Sequence, residues 1–328
     1  MKPSQQRSLF DPIDDPDERP TSDQPAIFWR PKTQVAHALQ PTPPAKSQRS
    51  EWGAATTSVG DCDWVSFLRQ NGRVPLINDS RKPWQYSGWL MYYRILLEDH
   101  LDVPKRWDYW FRTMAAGCLL DEPIPVVHFG IGELGDRSAG YKLLDQWVHL
   151  VDRHGGGWSS PMTVLLDWLL WGFGLSSEEP PISDTLNEQL YRTVNLGPLL
   201  LHPYDYLGEW IALQKGKWNP NAFYPTPHSV VEMMTQITYS GIDRTQARCM
   251  AVCDPALGSG RMLLHASNYS LRLFGTDIDS QVIKACQVNG ALYVPWLVKP
   301  FPDALFCVDG DLSVPHNETM EEPLEDRT

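Results

Sequence analysis

The chain has no run of about 18 apolar residues and no basic-plus-apolar N-terminus, so neither a transmembrane helix nor a signal peptide is expected. Cysteine is scarce. The six are Cys62, Cys118, Cys249, Cys253, Cys286 and Cys307, none forms a C-x-x-C pair, and Cys249 and Cys253 flank an apolar run. That pattern reads as reduced, buried thiols in a cytoplasmic protein and not as a zinc site or any other metal centre. Positive charge is also in short supply. Lys and Arg total 28 against 40 Asp and Glu, a net charge of -12. A protein that grips DNA by itself usually carries a basic patch, because neutralising phosphates supplies most of the affinity. The balance argues against a strong stand-alone DNA binder.

Apolar residues are 42% of the chain, enough for an ordinary buried core, and 328 residues suggest about two domains. Residues 1–60 are rich in Pro, Ser, Gln and Asp. They carry too little apolar surface to offset ordering entropy and read as a disordered arm. Its apolar islands, Ser8-Leu9-Phe10 and Ile27-Phe28-Trp29, are either docking anchors or the chance clusters common in such tails. Residues 61–218 differ, holding eleven of the fourteen tryptophans. Periodic apolar stretches at Tyr86 to Leu97 and Tyr141 to Val151 fit helices, and Met162 to Trp171 is apolar nearly all round. This is expected to be a mostly helical domain. Its indoles sit among Leu and Tyr at helical spacing, which favours core packing over base stacking. Gly130 to Gly135 reads G-I-G-E-L-G, a formal match to the dinucleotide fingerprint, but no second strand ending in an acid follows at the usual distance of about 20 residues. A plain glycine loop is expected there.

Residues 219–312 carry the chemistry. Met250 to Cys253 is a short apolar run fit for a buried parallel strand, ending at Asp254-Pro255. Gly258-Ser259-Gly260 forms a tight turn that lets a ligand approach the backbone. Arg261 to Tyr269 reads as a helix, and Leu271 to Gly275 as a second strand that stops at Asp277 and Asp279. Strand, glycine turn, helix, strand and acid is an arrangement that binds a nucleoside at the carboxyl edge of a parallel sheet.

Three motifs stand in order: D-Y-L-G-E (Asp205 to Glu209), F-Y-P-T-P (Phe223 to Pro227) and D-P-A-L-G-S-G (Asp254 to Gly260). Together they resemble the D-x-L-G-x, F-Y-T-P and D-P-x-x-G-S-G elements of the M subunits of type I restriction-modification systems and related adenine-N6 DNA methyltransferases. The resemblance covers roughly Leu200 to Leu312, about a third of the chain, and departs by one inserted residue, Pro225. It implies a cofactor, S-adenosyl-L-methionine. Phe223, Tyr224 and Thr226 would cover it. Asp254, with Pro255 beside it, would face the methionine ammonium. Gly258 and Gly260 would admit the backbone, Asp277 would hold the ribose hydroxyls, and Ile278 would pack on adenine. Leu305 to Val308 looks like a third strand, and Asp311 of the following Gly310-Asp311-Leu312 would hold the adenine amino group. Each has a purely structural alternative: Phe223 and Tyr224 could plug the end of the sheet, Asp254 could cap a helix, and Asp279 could cap one over Gln281 to Tyr293.

One family element is missing. The (N/D)-P-P-(Y/F) tetrapeptide, whose polar residue and aromatic hold the flipped-out adenine, does not occur; Thr42-Pro43-Pro44-Ala45 and Glu179-Pro180-Pro181-Ile182 are unsuitable. No catalytic residue is assigned. The seventeen residues after Asp311 include an acidic tail, residues 313–328, too short and too polar to supply strands four to seven. The expected fold is α/β: a disordered arm, a mostly helical domain, then a partial Rossmann-like methyltransferase sheet over residues 219–312. In the family's strand order the first strand lies between the second and fourth, so its outer edge would be open here. Three readings follow. The chain is a DNA methyltransferase completed in trans by a partner protein, a non-catalytic binding protein of methyltransferase descent in a restriction or mobile-element system, or a truncated product. DNA is the expected partner, reached through that second chain, with no membrane.

Overall fold

The computed structural model describes residues 82–130, 134–154, 160–215 and 223–306. The N-terminal arm, the acidic tail, Asp311, Cys62 and Cys307 lie outside the described residues.

A 3₁₀ turn at Pro83–Gln85 leads into seven helices. They are α1 (Trp89–His100), α2 (Arg106–Ala116), α3 (Leu134–His154), α4 (Pro161–Gly172), α5 (Asp184–Thr193), α6 (Gly197–Leu201) and α7 (Tyr206–Lys215). The three stretches expected to be helical meet α1, α3 and α4, with Tyr86, Ser87 and Gly88 lying in the turn before α1. Helix α4 is buried on most sides, with Met162, Leu165, Leu166 and Trp168 fully enclosed. Trp89, Trp107, Trp147 and Trp171 are buried too, and Trp89 meets Trp168 edge-on at 5.8 Å between ring centroids. These indoles are core, as their spacing implied.

The chain continues through α8 (His228–Tyr239), α9 (Arg244–Cys249), β1 (Ala251–Asp254), α10 (Arg261–Ala266), β2 (Arg272–Gly275), α11 (Ser280–Tyr293) and α12 (Pro295–Val298). Strands β1 and β2 pair in parallel, Ala251 opposite Arg272 and Asp254 opposite Gly275, with α10 as the crossover. The strand–turn–helix–strand order follows the sequence reading, with α10 ending at Ala266 instead of Tyr269. The third strand does not form in the described residues: Leu305 and Phe306 lie in a 3₁₀ turn, Asp303–Phe306. There Arg272 pairs with Asp303 at 3.2 Å and lies over the Phe306 ring. The described molecule is thus mostly helical, with a two-stranded parallel sheet.

Helix α11 joins the two halves. Asp279 caps its start, accepting from the Gln281 amide at 2.9 Å. At its far end the backbone carbonyls have no intrahelical donor. Side chains of α1 and α2 supply them: Trp107 Nε1 donates to Ala291 O at 2.9 Å, Arg94 Nε to Leu292 O at 2.8 Å, and Arg106 to Tyr293 O at 3.2 Å. Near the start, Lys284 pairs with Asp167 of α4 at 2.6 Å. One continuous apolar core runs from Trp89 to Phe301 across both halves. No described helix is long and apolar enough to cross a membrane.

Candidate cofactor site

Two layers meet at the carboxyl edge of β1 and β2. The rear layer is a buried polar network. Asp205, fully buried just before α7, accepts from the Gly208 amide at 2.9 Å, from Ser259 Oγ at 2.5 Å, from Arg261 Nε at 3.1 Å and from Asn289 Nδ2 at 2.8 Å. Asn289 also donates to Ser259 O at 3.0 Å. Arg261 has a second carboxylate, Glu209, at 3.1 Å, and donates to the Thr226 carbonyl at 2.9 Å. The three motifs are therefore one construction: D-Y-L-G-E holds Arg261, Arg261 holds F-Y-P-T-P, and Ser259 ties both to the glycine turn. A buried guanidinium needs this geometry, because desolvating a charge is costly unless its donors are met.

The front layer is the turn and its rim. Asp277 Oδ2 accepts from the Gly258 amide at 2.7 Å and Oδ1 from the Asp279 amide at 2.9 Å, so the acid after β2 pins the loop after β1. Asp254 Oδ1 accepts from the Ala256 amide at 3.0 Å; it does not cap α10, whose N-cap is Gly260. Thr276 and Leu257 close the loop base through backbone bonds of 3.0 Å each. Gly258 and Gly260 both have positive φ, 53° and 86°. A Cβ on Gly258 would sit 2.9 Å from Cε2 of Phe223, and one on Gly260 would sit 2.5 Å from Sγ of Cys286. Phe223 therefore does lie across the glycine turn.

Tyr224 and Ile278, at 76% and 72% exposure, stand on the rim with Pro255 and Thr226. Among the described residues neither Asp254 nor Asp277 has an ion-pair partner, so two carboxylates face this edge without a compensating cation. Nine of the ten expected site residues lie on these three segments; the tenth, Asp311, is outside the described residues.

Residues 198–293 match the family described as N-6 DNA Methylase. The match spans 96 of the 328 residues and makes this segment similar to N-6 DNA methylases. Neither the curated proteins nor the solved structures gave a match. The methylase segment runs from α6 to the end of α11 and contains both layers of the site.

Sequence reasoning missed the methylase segment's buried polar members. Arg261 was read only as the start of a helix, and Asn289 not at all. The available signal was a charged residue directly after the glycine turn, where an apolar helix face was due. A histidine pair was also missed. His228 Nδ1 and His265 Nε2 lie 2.9 Å apart, enclosed by Phe129 and Tyr204. Burial, reinforced by the charge of Arg261, lowers the His228 pKa to about 2 and that of His265 to about 4, so both are neutral. The glycine-rich Gly130 to Gly135 stretch serves packing at its described end: Gly130 abuts His228 and donates to Pro203 O at 3.1 Å. Among the described residues no group of three metal-ligating side chains occurs.

Proposed function

We propose that this chain binds S-adenosylmethionine and forms the cofactor half of an adenine-N6 DNA methyltransferase whose base-positioning residues come from a second polypeptide. The observation that carries the reading is the convergence of Asp254, Asp277 and the Gly258–Gly260 turn at the carboxyl edge of a parallel strand pair, within a methylase segment. The residues fit the ligand. Two unpaired carboxylates suit a molecule bearing an ammonium and a sulfonium. The glycine turn leaves the backbone approachable. Asp277 uses one lone pair on each oxygen internally and keeps others for ribose hydroxyls. Solvated Tyr224 and Ile278 offer apolar faces for adenine.

Bound, the cofactor supplies an electrophilic methyl group. The work of this chain is to bind and orient it. Positioning the target adenine, which contributes several kcal/mol by proximity alone, falls to groups absent from these 328 residues. That absence also favours a second reading, a non-catalytic regulator of methyltransferase descent in a restriction or mobile-element system.

Calorimetric titration with S-adenosylmethionine tests the binding. Wild type should bind, and Asp277→Ala should lose about tenfold or more, roughly 1.4 kcal/mol. Unchanged affinity in the variant would remove Asp277 from the pocket. Labelled methyl transfer to DNA, assayed after mixing with the product of the adjacent reading frame, separates the two readings: transfer supports the split enzyme, and binding without transfer supports the regulator.

A further inference from the structure

The F-Y-P-T-P segment reaches the glycine turn without secondary structure of its own. Residues 223–227 form neither helix nor strand. Pro225 and Pro227 have no N–H and cannot donate to a ladder. Tyr224, Thr226 and Pro227 are exposed, so burial does little to place the segment either. Phe223 nonetheless lies across the turn, its ring 2.9 Å from where a Cβ on Gly258 would stand. Something outside the segment must set its course.

Helix α10 supplies two holds. It begins at the residue after Gly260, and its Arg261 and His265 stand at spacing i, i+4 on one face. His265 Nε2 lies 2.9 Å from Nδ1 of His228, the first residue of α8 and the one after Pro227. That contact fixes where the segment ends. Arg261 acts on the segment itself, donating from Nη1 to the Thr226 carbonyl at 2.9 Å. The other edges of the guanidinium are already engaged. Nε meets Asp205 at 3.1 Å, and Nη2 meets Asp205 at 3.0 Å and Glu209 at 3.1 Å. A guanidinium is a rigid planar fork, so carboxylates that fix two of its edges also fix the direction of the third. Asp205 and Glu209 therefore set the position of the Thr226 carbonyl through Arg261.

The main chain of Arg261 adjoins Gly260, at the floor of the proposed pocket, while its side chain, buried behind the turn, holds the cover. Floor and cover are thus referred to a single residue. We infer that Arg261 is the positioning residue of the cofactor site, acting on the ligand only by holding Phe223 over the Gly258–Gly260 turn. The inference rests on the cofactor reading given above. Lysine at this position would keep a positive charge beside Asp205. As a point charge on a flexible stem it offers no fixed third edge to the Thr226 carbonyl.

The test is a double-mutant cycle on the full chain, read by calorimetric titration with S-adenosylmethionine. Arg261→Lys should weaken binding about tenfold in the wild-type background, and by less than about twofold where Phe223→Ala is already present. A merely structural role lowers affinity by the same factor in both backgrounds, so equal factors overturn the inference. Unchanged affinity in Arg261→Lys overturns it too. If circular dichroism shows Arg261→Lys unfolded, Glu209→Gln carries the same cycle with about threefold in place of tenfold, and equal factors there are again fatal. A readout without cofactor separates this inference from the reading beneath it. With para-fluorophenylalanine incorporated in place of Phe223, the fluorine resonance should move toward its free amino-acid value in Arg261→Lys or Glu209→Gln. A resonance that stays in place overturns the positioning role. A wild type that binds no cofactor, with a resonance that does move, sinks the cofactor reading and still leaves Arg261 as the residue that seats Phe223.

Discussion

The two sides of the glycine turn use the same residue types for opposite ends. Behind it, Asp205 is fully buried, meets four donors and shares Arg261 with Glu209. In front, Asp254 and Asp277 accept from backbone amides of the two loops at the sheet edge and have no ion-pair partner among the described residues. The rear acids are consumed by structure, since removing one strands a buried charge. The front acids retain accepting capacity toward solvent, the condition for binding a cationic ligand. Burial and partner count thus separate the scaffold acids from those open to the proposed ligand.

Substitutions can sharpen that division. The largest effect is expected behind the turn. Asp205→Ala leaves Arg261 with one carboxylate and orphans the Gly208 amide, Ser259 and Asn289, so unfolding free energy in urea should fall by about 3–5 kcal/mol. A loss below about 1 kcal/mol would place Asp205 outside the stability core. Next is Gly260→Ala, which forces a side chain into positive φ and against Cys286. We expect about 1–3 kcal/mol, of which a second change, Cys286→Ala, should restore only the steric share.

The buried histidines give the pH arm. Unfolded imidazoles titrate near 6.5. The folded pair stays neutral until about pH 4 at His265 and about pH 2 at His228. The unfolded chain therefore binds more protons below about pH 6.5, and stability falls as pH drops from there toward 4, by on the order of 3 kcal/mol for each histidine. Thermal melts should show that slope, and replacing both histidines, His228→Gln with His265→Gln, should flatten it; an unaltered slope would assign it to carboxylates alone. The smallest stability effect is expected in front: Tyr224→Ala should stay within about 0.5 kcal/mol of wild type while weakening cofactor binding in calorimetry. A large loss of stability there would make Tyr224 a plug for the sheet end.

Local order was legible in the chain: α1, α3 and α4 from apolar periodicity, β1 and β2 from short apolar runs stopped by Asp254 and Gly275, the Asp279 cap from its place before α11. Leu305 and Phe306 misled because a short apolar run does not distinguish a strand from a packed turn, and here Arg272 draws Phe306 into the turn. The Arg261 network was invisible for another reason. Its members stand up to 84 positions apart, and nothing in the spacing of Asp205, Ser259, Arg261 and Asn289 reports that they meet.

By itself the sequence determined the element types, the loop between Asp254 and Gly260, and the likeness of one segment to N-6 DNA methylases, because backbone preference and motif spacing are local properties. Only the tertiary structure decided which acids are buried and which are open, and that α1 and α2 cap the far end of α11. Those are outcomes of packing, which settles where each side chain's partners come from.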